Sequence, residues 1–245
     1  MSDRSAIEWT EATWNPVTGC TKVSHGCDHC YAETFAERFR GVAGHPYEQG
    51  FDLRFWPERL DHPKRWKKPR VVFVNSMSDL FHQRVPVSYV DRVLDTIRST
   101  PRHTYQLLTK RPGKMASVMR RLQPDPLPNL WLGTSIEDDD YMTRADQLRA
   151  SPAVVRFLSL EPLLGPVPSL GLDGIDWVIV GGESGHHARP MEPGWVTAIR
   201  DACVAAGVPF FFKQWGGRTP KEGGRLLEGR TWDEMPGTNL ESAMC

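Results

Sequence analysis

Three cysteines crowd into eleven residues, Cys20, Cys27 and Cys30, in the segment GCTKVSHGCDHCYAE. Three thiolates at this density need a cation, and the C-x6-C-x2-C spacing lets one loop present all of them to a metal centre. Two donor sets are open. Three cysteines hold a four-iron, four-sulfur (4Fe-4S) cluster with one iron left for a substrate or cofactor, whereas electron-transfer clusters normally take four protein ligands. Alternatively, His25 or His29 completes a Cys3His zinc site, a closed structural set. Three buried thiols without metal would give no reason for the crowding. Of the other cysteines, Cys203 shares a helical pattern with Val196, Ile199 and Val204 and reads as a core thiol, and Cys245 at the end reads as adventitious.

A loop of this kind needs a rigid base. Six short apolar runs supply one: RVVFVN at 70–75, TYQLLT at 104–109, NLWLGT at 129–134, VVRFLSL at 154–160, DWVIVGG at 176–182 and VPFFFKQW at 208–215. They are β-branched or aromatic and apolar on both faces, the pattern of parallel strands covered on both sides. Helical patterns fall between them at 88–100, 113–122, 140–151 and 193–207, the last opening with Pro193 and closing with Gly207. With a short first strand over 13–17, this alternation predicts an α/β fold, a partial (β/α) barrel of about six or seven mainly parallel strands. Residues 1–215 form that barrel, with an irregular basic insertion at 41–70. Residues 216–245 form a Gly-rich hairpin extension around GRLLEGRTW that packs on the same domain.

In such a barrel the cysteine loop follows a strand and precedes the helix YAETFAERF, so it sits at the carboxyl end of the sheet, where active sites collect. Polar residues succeed the apolar runs at that same end. They are Asn75, Ser76, Ser78 and Asp79; Thr109, Lys110 and Arg111; Thr134, Ser135 and Glu137; Ser159 and Glu161; Gly181, Gly182 and Glu183; and Lys213 with Gln214. One polar strand end marks only the approach of solvent, but six in register form a rim able to orient a zwitterionic cofactor. In NSMSD, Asp79 or the hydroxyls can accept an ammonium, or can cap a helix. In VGGESG, two glycines permit close backbone approach to a ligand and Glu183 can reach a ribose hydroxyl or an ammonium. Lys213 calls for an anionic partner, or snorkels at the barrel mouth.

The three-cysteine loop, the NSMSD and VGGESG strand ends, the FKQWGG segment and the GRLLEGRTWDEMP tail together resemble the phage-associated three-cysteine-motif proteins, a radical-SAM-like family of undefined substrate. The resemblance implies that Cys20, Cys27 and Cys30 are the cluster ligands and that S-adenosylmethionine chelates the open iron. It also implies that the segment around Asn75–Asp79 holds the methionyl amino group. The radical SAM pattern is C-x3-C-x2-C, so the first gap here is three residues longer, and His29 stands where an aromatic commonly packs near the adenine.

Lys and Arg number 30 against 30 Asp and Glu, a net charge of zero that excludes a surface built wholly for nucleic acid or membrane. The first 130 residues nevertheless hold 20 cations against 14 anions, and the remainder 10 against 16. The stretch HPKRWKKPR at 62–70 interleaves Trp66 with five cations, and TKRPGK at 109–114 adds three. These suit a nucleic-acid substrate, with Trp66 stacking on a base and cations on phosphates, or else a solvated face beside a small metabolite or a partner protein. A zinc- or cluster-stabilised nucleic-acid-binding protein without catalysis is the alternative class. No run approaches a membrane span and MSDRSAIEWTE has no apolar signal core, so a cytoplasmic setting and no membrane partner are expected.

Overall fold

In the computed structural model the described residues are 5–219 and 221–237. Along the chain come β1 (Ala12–Trp14), β2 (Val17–Thr18), α1 (Tyr31–Glu37), β3 (Arg54–Phe55), α2 (His62–Arg65), β4 (Val71–Val74), α3 (Val87–Arg98), β5 (Thr104–Thr109), α4 (Pro112–Leu122), β6 (Leu130–Ser135), α5 (Thr143–Arg149), β7 (Val155–Leu160), β8 (Trp177–Gly181), α6 (Pro193–Ala206) and β9 (Phe210–Gln214). Seven strands build one sheet in the order β1, β4, β5, β6, β7, β8, β9, every pair parallel. Sequence order equals spatial order, helices stand in five of the six crossovers, with both α1 and α2 in the long first one, and β1 and β9 do not pair with each other. This is the expected partial β/α barrel. Between β7 and β8 no helix forms; Leu163, Val167 and Ile175 of that connection are buried in its place.

The period of two along each strand divides the core. Val72 and Val74, Tyr105 and Leu107, Leu130 and Leu132, Leu158 and Leu160, Val178 and Val180, and Phe210 and Phe212 face the helices, where Val90, Leu94, Met115, Met119, Leu148, Ile199 and Cys203 meet them. Alternate residues point to the concave side. Its base is a separate aromatic cluster of Trp9, Phe73, Trp131, Phe157, Trp177, Ile179 and Phe211. Trp177 is its hub, with ring centroids 5.9 Å from Trp131, 5.6 Å from Phe157, 6.1 Å from Phe211 and 6.2 Å from Trp9. Such tilted and edge-on pairs add to the large apolar area each ring removes from water.

Three local expectations are corrected. The first strand does not run to Val17: Pro16 has no N–H to donate, so β1 ends at Trp14 and Val17–Thr18 pair instead, antiparallel, with β3. The insertion at 41–70 is not irregular throughout, because it contains β3 and α2 and buries Trp56, Leu60 and Trp66. In the tail, a tight turn joins Leu227 to Arg230 without paired strands, and Phe212 N–H donates to the Trp232 carbonyl, so the tail covers the β9 edge. Cys245 and the rest of 238–245 lie outside the described residues. No helix among the described residues is long and apolar enough to cross a membrane.

Candidate functional site

The cysteine loop lies over the carboxyl ends of the strands and is tied to them by charge. Glu137, fully buried just past β6, is the central tie. It accepts Ser24 Oγ at 2.8 Å and Lys110 Nζ on Oε1, and Arg144 at 2.8 Å on Oε2. Burial opposes its ionisation, yet Lys110 and Arg144 outweigh that penalty and hold its carboxyl below the usual carboxylate range. Gly26 lies directly on this side chain: a Cβ there would stand 2.3 Å from Glu137 Cγ. The loop sequence S-H-G-C therefore needs glycine at its third position for close approach, not for its backbone angles.

Two further ties flank it. On one side, Arg111 donates to the Thr21 carbonyl at 2.9 Å and lies 3.5 Å from Cys20 Sγ, while Asp79 holds the same guanidinium at 2.9 Å. On the other, Glu183 receives Arg189 on both oxygens and His29 Nδ1 at 3.0 Å, and Arg189 also donates to the His25 carbonyl. Burial works against the Glu183 carboxylate, but the Arg189 side chain and backbone N–H and then His29 bring its pKa down to about 2. His25 is engaged at both ring nitrogens, by Asp138 at 2.8 Å and Tyr141 at 3.1 Å.

Within the loop, Cys20, Cys27 and Cys30 are all free thiols of intermediate exposure. Cys27 closes a single 3-10 turn and Cys30 precedes the first turn of α1. Burial pushes the Cys20 and Cys30 thiols up, against Arg111 at the first and backbone N–H groups of α1 at the second. The chemistry of the donor set fits an iron–sulfur cluster. For a Cys3His zinc site, His25 has no open nitrogen, and His29, whose Nδ1 is held by Glu183, is the histidine left to complete the set.

The rim expected from the strand ends is assembled, but most of it is occupied by the chain itself. Both Asp79 oxygens are used, by Thr109 Oγ1 at 2.7 Å and the Phe81 N–H on one and by Arg111 and the Lys110 N–H on the other. Ser76 Oγ exchanges hydrogen bonds with the Asn15 amide, and Ser78 Oγ donates to the Val17 carbonyl. The Ser135 carbonyl receives Arg144. Gly182 does permit a close approach, but to the Trp215 carbonyl, which a Cβ would meet at 1.9 Å; at Gly181 the neighbour is the Glu161 carboxylate. Lys213 has the anionic partner it called for, Glu161. Asn75 stands apart. It is buried, has a left-handed backbone at φ 62°, and leaves both amide atoms without a partner. The groups not spent on holding the loop are thus the Asn75 amide, the Glu161–Lys213 pair and the three thiols.

Sequence reasoning missed Arg189, Tyr141 and His82, which meet the loop at the His25 carbonyl, the His25 ring and Thr21 Oγ1, and Arg144, which holds Glu137 beneath it. A usable signal existed for two of them: a carboxylate following a fully apolar strand must be paired, and Arg144 and Arg189 lie seven and six residues beyond Glu137 and Glu183. The basic stretch at 62–70 is elsewhere. It packs at the amino ends of the strands, where Arg102 donates to the Trp66 carbonyl, His103 to the Pro63 carbonyl and the Thr104 N–H to the Arg70 carbonyl. Trp66 is buried against His103, so it cannot stack on a base at the mouth.

A partial β/α barrel with a thiol-bearing loop clamped over its carboxyl end by ion pairs is the class of protein that fold and site define. The chain matches the model of a family described as a protein of unknown function (DUF5131) over residues 4–236, and belongs to that family. No curated protein and no solved structure matches it significantly.

Proposed function

We propose that the protein is a radical S-adenosylmethionine-like iron–sulfur enzyme of the phage-associated three-cysteine-motif kind, with Cys20, Cys27 and Cys30 as ligands of a 4Fe-4S cluster. The observation that carries this reading is the placement of three free thiols of one loop at the carboxyl end of a parallel partial barrel. When bound, the cluster and S-adenosylmethionine supply the radical chemistry. The chain's part is to seat the loop through Glu137, Arg111 and Glu183 and to offer unspent polar groups beside it. The Asn75 amide, one donor and one acceptor, suits the amino and carboxylate ends of a zwitterion, and Glu161 suits an ammonium once Lys213 is drawn off. Free thiols throughout the described residues go with a reducing, cytoplasmic setting.

Anaerobic reconstitution followed by iron and sulfide analysis tests the cluster, with Cys27→Ala as control. About four irons and four sulfides per chain are expected, lost in the variant. Stoichiometric zinc without sulfide overturns the proposal. For the reduced, loaded protein, 5′-deoxyadenosine is the expected product from S-adenosylmethionine; binding without any cleavage leaves a cluster-bearing binding protein in place of an enzyme.

A further inference from the structure

The three thiols of the loop are not held alike. Cys27 closes its 3-10 turn and Cys30 leads directly into α1, so local backbone geometry places both. Six residues separate Cys20 from Cys27, and contacts from outside the loop must place Cys20. They come from Arg111, between β5 and α4. Its Nη2 donates to the Thr21 carbonyl at 2.9 Å and to Thr21 Oγ1 at 3.2 Å, and its Nη1 to Asp79 at 2.9 Å and to Cys20 Sγ at 3.5 Å. Buried His82 steadies the same hydroxyl: its Nδ1 accepts the Arg84 N–H, which leaves Nε2 to donate to Thr21 Oγ1 at 2.9 Å. With its side chain only 13% exposed, Arg111 is a cation on a fixed frame beside one sulfur.

The other two sulfurs have no such donor. Cys30 takes backbone N–H groups of Ala32 and Glu33. Cys27 lies 3.8 Å from Ser24 Oγ, but the proton of that hydroxyl goes to Glu137. Among the described residues Cys20 alone of the three receives a hydrogen bond from a cation.

We infer that Arg111 is a positioning residue that holds Cys20 to the cluster and, through its N–H···S contact, raises the cluster's reduction potential. The inference rests on the cluster reading. As a ligand Cys20 is a thiolate, and a guanidinium bonds a thiolate more strongly than it bonds a neutral thiol. One-electron reduction adds negative charge to a set that already carries three thiolates, so a cation at one sulfur stabilises the reduced form more than the oxidised one. Asp79 opposes this. Its carboxylate is shared among Arg111, Thr109 Oγ1 and the N–H groups of Phe81 and Lys110, so it holds the guanidinium in place while drawing off only part of its charge.

The test is a dithionite titration of the reconstituted full chain, followed by electron paramagnetic resonance of the reduced cluster. Arg111→Gln, which removes the charge, is expected to bind iron and sulfide but to take a lower midpoint potential than the wild type, and Arg111→Lys to recover most of the difference. Asp79→Asn removes the opposing anion and is expected to shift the midpoint the other way, which keeps the test in force if Arg111→Gln loses its cluster. A merely structural role lowers iron content in these variants without shifts of opposite sign. Equal midpoints in the wild type and Arg111→Gln, or a midpoint that fails to rise in Asp79→Asn, overturn this inference alone; a wild type that takes up no iron and sulfide overturns the cluster reading with it.

Discussion

The two ends of the concave face solve the same packing problem with opposite chemistry. At the base, seven side chains fill the space between strands with rings and one isoleucine, and their stability comes from area removed from water. At the carboxyl rim, Asp79, Glu137 and Glu161 are each matched by a cation from another part of the chain, and Glu183 by Arg189 of its own loop and by His29. Buried ion pairs repay their desolvation only when geometry and hydrogen bonding are good, so such a rim adds little net stability but admits few alternative arrangements. The base carries stability, and the rim fixes where a loop sits.

The comparison can be broken most severely at the base. Trp177→Ala should destabilise the fold by about 3–5 kcal/mol, read by chemical denaturation, while leaving the alkylation rates of the loop cysteines in the native state unchanged. A variant that loosens the loop equally would show that the two ends are one unit. Gly26→Ala tests the rim: its Cβ overlaps Glu137, and a smaller loss of about 1–3 kcal/mol should come with faster alkylation of Cys27.

Acid sharpens the contrast next. With a folded pKa of about 2 against an unfolded value near 4.3, ionised Glu183 contributes stability that is fully present above the unfolded value and is lost as pH falls toward the folded one. The wild type should therefore exceed Glu183→Gln in stability at neutral pH by an amount that shrinks between about pH 5 and pH 2, as denaturation midpoints across that range will show. The smallest effect belongs to the helix side. Cys203, fully buried and with its thiol pushed up to about 12 by burial, should resist iodoacetamide in the folded protein and react only after unfolding.

Much of the architecture was legible because parallel strands covered on both sides write themselves as unbroken apolar runs. All six long strands fall where RVVFVN, TYQLLT, NLWLGT, VVRFLSL, DWVIVGG and VPFFFKQW place them. The loop thiols and the polar strand ends were equally visible, since both follow from residue type and position along the chain. What could not be read was which partner each polar group would take. Glu137 with Lys110, Glu183 with His29, and Gly182 under the Trp215 carbonyl are pairings between residues far apart in sequence that only the curl of the sheet brings together. A cavity between Glu8 and Arg225 is the extreme case, made by residues more than two hundred positions apart meeting beside β9. Local pattern determined the strands, the helices and the loop that bears the thiols, because those depend on period and propensity. Tertiary structure alone decided that the rim carboxylates hold that loop and that Asn75 stays unpartnered, because hydrogen-bond and charge pairing depend on distance in space and leave no period in the sequence.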